Sequence, residues 1–451
     1  MYYIIYMDIK ETLKEIIVSN QNRRITGVIP RSWEVPTDTG KAVTLPGVRR
    51  SGKSSHLALT QCALLRRGVP KENILSLNLD DERLDFSEGG AGAVWEAYRE
   101  LYPENPPGDV YIFLDEIQVA DGWERFVRRI YDNESKNIYI TDSNSKMLSS
   151  EIASALRGRT LQFEIFPLSF SEYCDFRGVE TNFYDSVQRA VLINAFNAYL
   201  FKGGFPEIAL GKEAFSEHIL QEYYHVMIFK DLVERYGIRN TRALRYIVKR
   251  LLANVTKPTS VNKIFNEIKS GGVAISKNAV YELIDELTSI YMFLPLPKFS
   301  ASAVKEFSGM PKYYVIDNGF KYALQGSVSE DRGAFLENAV YLHLRRLHPF
   351  GAGLFYFGGR YECDFLRVEK QSAIELVQVC WSLDDPDTER REVNGLMEAA
   401  RTTGCKNLKI ITADTEKRIT ENGMEIAVLP AWKFIMTQNK VMACRENSKL
   451  R

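Results

Sequence analysis

The chain has 451 residues, enough for two to four domains with large cores, and its 58 basic and 58 acidic side chains cancel. Zero net charge excludes a protein that coats nucleic acid over its whole surface, and no run of about 18 apolar residues is present to span a membrane. The six cysteines form no CxxC pair and the five histidines show no metal-ligand spacing, so they read as ordinary residues of a reduced, cytoplasmic protein.

Taken in chain order, Met1-Tyr-Tyr-Ile-Ile-Tyr-Met7 is apolar but is cut short by Asp8 and Lys10. It lacks a basic start and a cleavage site, which argues against a signal peptide. Ala42-Val-Thr-Leu45 predicts a buried strand. The stretch Gly47-Val-Arg-Arg-Ser-Gly-Lys-Ser54 follows it, and a helical run begins at Ser55. This is the phosphate-binding loop pattern in its strand–loop–helix context. Gly47 and Gly52 let the backbone turn, and the N–H groups of Val48, Arg49, Arg50, Ser51 and Ser55 can line a phosphate cradle. Lys53 reaches the terminal phosphates, and the Ser54 hydroxyl is a ligand for Mg²⁺.

Asn73–Asp81 and Asp109–Glu116 predict two further buried strands. The second ends in Asp115 and Glu116, at the strand end where ligands sit in a parallel α/β sheet. Asp115 is expected to hold the hydration shell of Mg²⁺ and Glu116 to polarise the attacking water. A third strand, Asn137–Thr141, leads to Asp142-Ser-Asn-Ser145, where Asn144, with Ser143 second, is positioned to sense the γ-phosphate. Arg157 and Arg159 follow as candidates to neutralise transition-state charge, either in their own chain or toward a neighbouring subunit of a homo-oligomer. Strand and helix alternate over residues 23–175, the signature of a parallel sheet with helices on both faces.

Gly47–Ser54, Leu114-Asp-Glu-Ile-Gln118, Leu156-Arg-Gly-Arg-Thr160, Phe166-Pro-Leu-Ser-Phe170 and Gly203-Gly-Phe-Pro-Glu207 together resemble prokaryotic AAA-type ATPases of the archaeal-ATPase-like group. The resemblance implies a P-loop core followed by a winged helix and a C-terminal domain of restriction-endonuclease-like fold. It also implies that the Gly203–Glu207 turn closes over the nucleotide. The chain departs from the family at Asp142, where a small residue is usual, and a carboxylate beside the γ-phosphate would repel it. The corresponding domain boundaries are 1–175 for the ATPase core, 176–256 for a helical lid, 257–325 for the winged helix-turn-helix and 326–451 for the nuclease-like domain.

In the winged region, Ser260–Lys269 and Ser276–Leu287 predict two helices around Gly271-Gly272, with Ser276 as N-cap. The second helix is acidic, with Glu282, Asp285 and Glu286 against Lys277, whereas basic residues gather upstream at Arg239, Arg242, Arg245, Lys249 and Arg250. DNA and protein partners both stay open for this module. In the last domain the order helix Glu337, strand Asp364, then a strand over Ile374–Cys380 resembles the PD-(D/E)XK nuclease core. Gln378 stands where that pattern has its second acid and Cys380 where it has its lysine, while Glu375 falls on the opposite face by strand parity. Three functions follow: an ATP-driven switch, which the paired loop and acid motifs favour; an ATP-regulated DNA-binding protein or nuclease using Glu337 and Asp364; and a nucleotide-binding scaffold with little turnover.

Overall fold

A computed structural model describes residues 9–86, 90–144, 158–211, 213–300, 309–326 and 331–436, with Leu156 and Ser302 besides. The chain divides into two compact units, residues 1–165 and 166–451.

In the first unit the apolar runs form β1 (Ala42–Pro46), β2 (Ile74–Asn78), β3 (Tyr111–Asp115), β4 (Ile138–Asp142) and β5 (Thr160–Gln162). They make one five-stranded sheet in the order β2-β3-β4-β1-β5, parallel throughout. The helices are α1 (Ile9–Asn22), α2 (Lys53–Arg66), α3 (Gly92–Leu101) and α4 (Trp123–Asn133). Pleating sends successive side chains to opposite faces. Leu75, Leu77, Ile112, Leu114, Ile138 and Ile140 pack in one core with α1, α3 and α4. Val43, Leu45, Phe113 and Tyr139 pack on the other face with Leu57 and Leu64 of α2. Both faces are therefore covered, as a parallel sheet requires, and the fold is that of a P-loop NTPase sheet.

The second unit opens with helices α5 (Phe170–Arg177), α6 (Ser186–Lys202) and α7 (Ser216–Val226), the last running into a π-helical stretch, Met227–Glu234. Then come α8 (Thr241–Ala253), α9 (Val261–Ser270) and α10 (Lys277–Ser289). Ser276 caps α10 through its side chain, which accepts from the Ala279 N–H at 3.1 Å. An antiparallel pair, β6 (Phe293–Leu296) and β7 (Lys312–Val315), follows. After α11 (Asn318–Gln325) and α12 (Arg332–Leu347) comes a mixed six-stranded sheet of β8 (Leu354–Gly358), β9 (Glu362–Glu369), β10 (Ser372–Val379), β11 (Leu408–Thr412), β12 (Lys417–Glu421) and β13 (Met424–Pro430). Helix α13 (Pro386–Thr403) lays Val393, Leu396, Met397 and Ala400 on its core. Among the described residues no helix is long and apolar enough to cross a membrane.

The Gly203-Gly204 turn is an interlock within this unit. The buried Asp317 carboxylate accepts from the Gly204 N–H at 2.7 Å and the Gly319 N–H at 2.8 Å. The Leu168 N–H donates to the Gly204 carbonyl at 2.7 Å. Burial pushes the Asp317 carboxyl up to about 7. Gly203 has φ +82°, and a Cβ there would lie 1.6 Å from an Asp317 oxygen. We expect Gly203→Ala to destabilise the second unit by about 2–4 kcal/mol, a left-handed penalty added to an overpacking one, as read by urea unfolding.

Candidate functional site

The loop between β1 and α2 is shaped by one close approach. Gly47 pairs across the sheet with Ile165, and a Cβ at Gly47 would stand 2.2 Å from the Ile165 carbonyl oxygen. The Gly47 N–H donates to the Asp142 carbonyl at 3.2 Å, so the loop leaves the sheet directly beside the end of β4. Arg50 (φ 67°) and Gly52 (φ 99°) are left-handed, which turns the chain sharply into α2. Left-handed backbone at a non-glycine residue is strained and is found where function needs a fixed geometry. The first N–H groups of α2 have no acceptor within the helix, and the positive end of its dipole faces the loop. That is an anion site by construction.

Lys53 is buried, and its Nζ donates to the carbonyls of Gly47 at 3.1 Å and Val48 at 3.3 Å, drawn across the mouth of the loop. It also lies 3.8 Å from Glu116 Oε1. Two motifs more than sixty residues apart in sequence thus share one site. Val48 and Ser51 are buried, Ser55 and Arg49 half-buried, and Ser54 and Arg50 exposed, so the Ser54 hydroxyl stands open at the start of α2.

The strand order places β4 between β1 and β3, so its last residues bridge the loop and the acids. The Thr141 hydroxyl donates to the Asp115 carboxylate and accepts from the Glu116 N–H at 3.1 Å. Glu116 has φ 51°, a second strained non-glycine position, and its carboxylate accepts from Gln118 Nε2 at 2.6 Å. Thr141 and Gln118 therefore orient the two acids. The sequence signal for them, a Thr ending a buried strand and a Gln two residues past the acid pair, carried no role until the strands were placed side by side. The oxygen donors Ser54 and Asp115 suit Mg²⁺, which takes one or two protein ligands and completes its shell with water and phosphate. Among the described residues no group of three or more His, Cys, Asp or Glu forms an all-protein metal cage.

Asn144 and Ser143 are both buried at the end of β4, between the two motifs. Asp142 is also buried, and its Oδ1 accepts from the Asn144 N–H at 2.9 Å. One carboxylate oxygen is thus engaged in a local turn. Arg159 sits at the other end of β1. Its carbonyl accepts from the Ala42 N–H at 3.1 Å, and its guanidinium pairs with Asp132 and lies 5.6 Å over the Tyr131 ring. Ala42 begins β1 and the phosphate loop follows its end, which puts Arg159 about 13 Å from the loop along the strand. Its guanidinium is engaged by Asp132 and Tyr131 at the end of β1 away from the loop. Arg157 lies outside the described residues.

A second polar cluster sits in the C-terminal unit, around the acids Glu337 of α12 and Asp364 of β9. Cys380, at the position expected to hold a lysine, is buried. A positive charge lies beside these acids, on Lys312 of β7. Its fully buried ammonium lies 3.3 Å from Glu337, 2.7 Å from Glu362 and 3.2 Å from Asp364. Those three carboxylates hold the Lys312 ammonium well above its usual range, although burial opposes the charge. Burial, and then the charge of Asp364, raises the Glu337 carboxyl. Tyr314 donates to Glu337 at 2.7 Å, and the Val379 N–H donates to Asp364 at 2.9 Å. Gln378 Nε2 donates to the buried Glu392 of α13 at 2.5 Å, an acid that the linear pattern did not reveal. Glu375 lies away from this cluster, paired with Arg367 and Lys409.

Compared with known proteins, residues 39–174 match the AAA domain family, and residues 193–331 match a domain of unknown function, DUF8612. The chain is 34% identical over 444 residues to the uncharacterized protein MJ1544 of Methanocaldococcus jannaschii, covering 96% of each. It is 28% identical to an uncharacterized protein of Haemophilus influenzae, over 77% of this chain and 84% of that one. Among solved structures it is similar to a Walker-type ATPase of Pyrococcus abyssi, at 13% identity and a TM-score of 0.38, over 70% of this chain and 94% of that one.

The lysine cluster has a direct consequence for stability. Lys312→Met leaves three carboxylates without their cation, and removing one partner of a buried ionic cluster costs about 3–5 kcal/mol. Burial already raises the Glu337 carboxyl above its ordinary range, and loss of the Lys312 charge raises it further, so the folded variant binds more protons than the unfolded one and its stability rises as pH falls. Urea unfolding of Lys312→Met should show a deficit against the parent that shrinks between pH 8 and pH 5.5.

Proposed function

The chain belongs to the family of the Methanocaldococcus jannaschii protein MJ1544, and from its AAA domain we propose that it is an ATP-hydrolysing switch. The observation that carries this reading is the convergence of Lys53 and Glu116 at 3.8 Å, with Asp115 and Glu116 both braced by Thr141. The loop N–H groups and the start of α2 bind the phosphates. Lys53 exchanges its two carbonyl partners for phosphate oxygens, a stronger, charge-assisted pairing. Ser54 and Asp115 are the residues that would hold Mg²⁺, which neutralises phosphate charge when bound. Glu116, kept in place by Gln118 and by its left-handed backbone, accepts a proton from the attacking water. Asn144 is assigned to contact the γ-phosphate from the end of β4.

In the same reading, residues 257–325 form a winged helix-turn-helix and residues 326–451 a nuclease-like domain, both responding to the nucleotide. The order α9, α10, then the β6–β7 hairpin supports the first assignment. The Glu337–Asp364 pair with its sheet and helix supports the second. Arg159 and Arg157 serve a neighbouring subunit in this scheme, which makes the switch a homo-oligomer. The scaffold reading rests on the Asp142 carboxylate, whose charge opposes the γ-phosphate.

One observation favours a second reading, an Mg²⁺-dependent nuclease. Lys312 places a positive charge beside Asp364 and Glu337, the charge that Cys380 does not supply. Plasmid cleavage in Mg²⁺ or Mn²⁺ that vanishes in Asp364→Ala would establish it; the ATPase reading expects none.

For the ATPase itself, Lys53→Ala should abolish binding of a fluorescent ATP analogue. Glu116→Gln should bind it like the parent but release phosphate about 10²–10⁴-fold more slowly, the usual worth of a general base. Parent-like turnover by Glu116→Gln would remove Glu116 from the mechanism.

A further inference from the structure

Charge is distributed unevenly through the second unit. Between residues 239 and 270 the chain carries eight Lys and Arg and one acidic residue, Glu267, within a protein of zero net charge. The next helix, α10, has the opposite character, with Glu282, Asp285 and Glu286 against Lys277. A helix that tracks phosphates must be basic, so α10 is the wrong helix for that task although it occupies the position of a recognition helix.

Helix α8 is the right one. Its apolar side, Ala243, Leu244, Ile247, Val248, Leu251 and Leu252, is fully buried. Arg242, Arg245, Tyr246 and Lys249 fall at i, i+3, i+4 and i+7 on the opposite face and are exposed. Arg242, Arg245 and Lys249 make no ion pair among the described residues. Arg245 lies 5.8 Å over the half-exposed Phe229 ring, which the π-helical stretch presents beside it. The acid in the 239–270 stretch is already neutralised. Glu267 of α9 takes Arg250 Nε at 2.9 Å and the Tyr246 hydroxyl at 2.9 Å, and these contacts hold its carboxyl below its usual range although burial opposes them. Lys263, exposed on the same side of α9, extends the surface.

We propose that this face, Arg242, Arg245 and Lys249 with Arg250 and Lys263 beside them, binds the phosphate backbone of a nucleic acid, independently of sequence. The three α8 cations span about 10 Å along one helix face, so one strand of a polyanion can engage all of them. Side chains that reach phosphates position a protein without reading bases. A membrane surface fits less well. An interfacial helix inserts its apolar face into lipid, and the apolar face of α8 is inside the protein.

The surface goes beyond the ATPase reading and does not depend on it. The test is fluorescence anisotropy of a labelled mixed-sequence DNA duplex with the full chain, without nucleotide, over a range of salt. The parent should bind, with a log–log salt slope of about −3 to −4.5, from three to five phosphate contacts at −0.9 each. The triple variant Arg242→Ala/Arg245→Ala/Lys249→Ala should lose about three units of that slope, and the corresponding triple Lys/Arg exchange should restore it. Lys277→Ala on α10 should leave the slope unchanged. Lys53→Ala should also bind like the parent, which separates this surface from the nucleotide site. An RNA duplex of the same length shows which nucleic acid is preferred. No binding at low salt, an unaffected triple variant, a slope lost in Lys277→Ala, or tighter binding to anionic vesicles than to either duplex would overturn the proposal.

Discussion

The backbone of Gly47 sits where no side chain fits, against the Ile165 carbonyl on one side and hydrogen-bonded to Asp142 on the other. That approach fixes the exit of the loop from the sheet, and the candidate site depends on it. With the exit fixed, the left-handed turns at Arg50 and Gly52 aim α2 so that Lys53 faces the end of β3. The strand order then inserts β4 between the two motifs, and Thr141 ties Asp115 and Glu116 into one rigid edge. The site is assembled before any ligand arrives, as catalysis by positioned charge requires.

Two strained residues, Arg50 and Glu116, stand within this small region. Each costs roughly 1–3 kcal/mol, and the surrounding hydrogen bonds and packed strands hold them there. The buried core on both faces of the sheet supplies the rigidity that this strain demands. The second unit follows a different rule. Its polar interior is organised by buried ions: Asp317 clasps two glycine N–H groups, Lys312 gathers three carboxylates, and Glu375 takes two cations. Such clusters add little net stability, but breaking one leaves an unpaired buried charge.

The two motifs of the candidate site were legible in the sequence because each is contiguous: a loop with two glycines and a strand ending in two acids. The alternation of continuous apolar runs with helical stretches made the parallel sheet legible too. What was not legible depended on contacts between distant segments. Lys312 opens a short apolar strand and has no motif around it, yet its ammonium sits among Glu337, Glu362 and Asp364. Glu392 likewise reaches Gln378 only because α13 packs on that face of the sheet. Arg159, a candidate for its own chain or for a neighbouring subunit, precedes β5, and a residue before a parallel strand lies at the edge away from the loop. Sequence order gives proximity along the chain, whereas strand direction decides which end of the sheet a residue reaches.

The central claim is that Gly47–Ser54 and Asp115–Glu116 form one hydrolytic site. It is tested most directly by following phosphate release from ATP with the purified parent chain, with and without Mg²⁺. Steady release that stops on chelation and resumes when Mg²⁺ is restored is the predicted result. Tight ATP binding with no phosphate released over many hours would contradict it and leave a nucleotide-binding scaffold in which Asp142 blocks turnover.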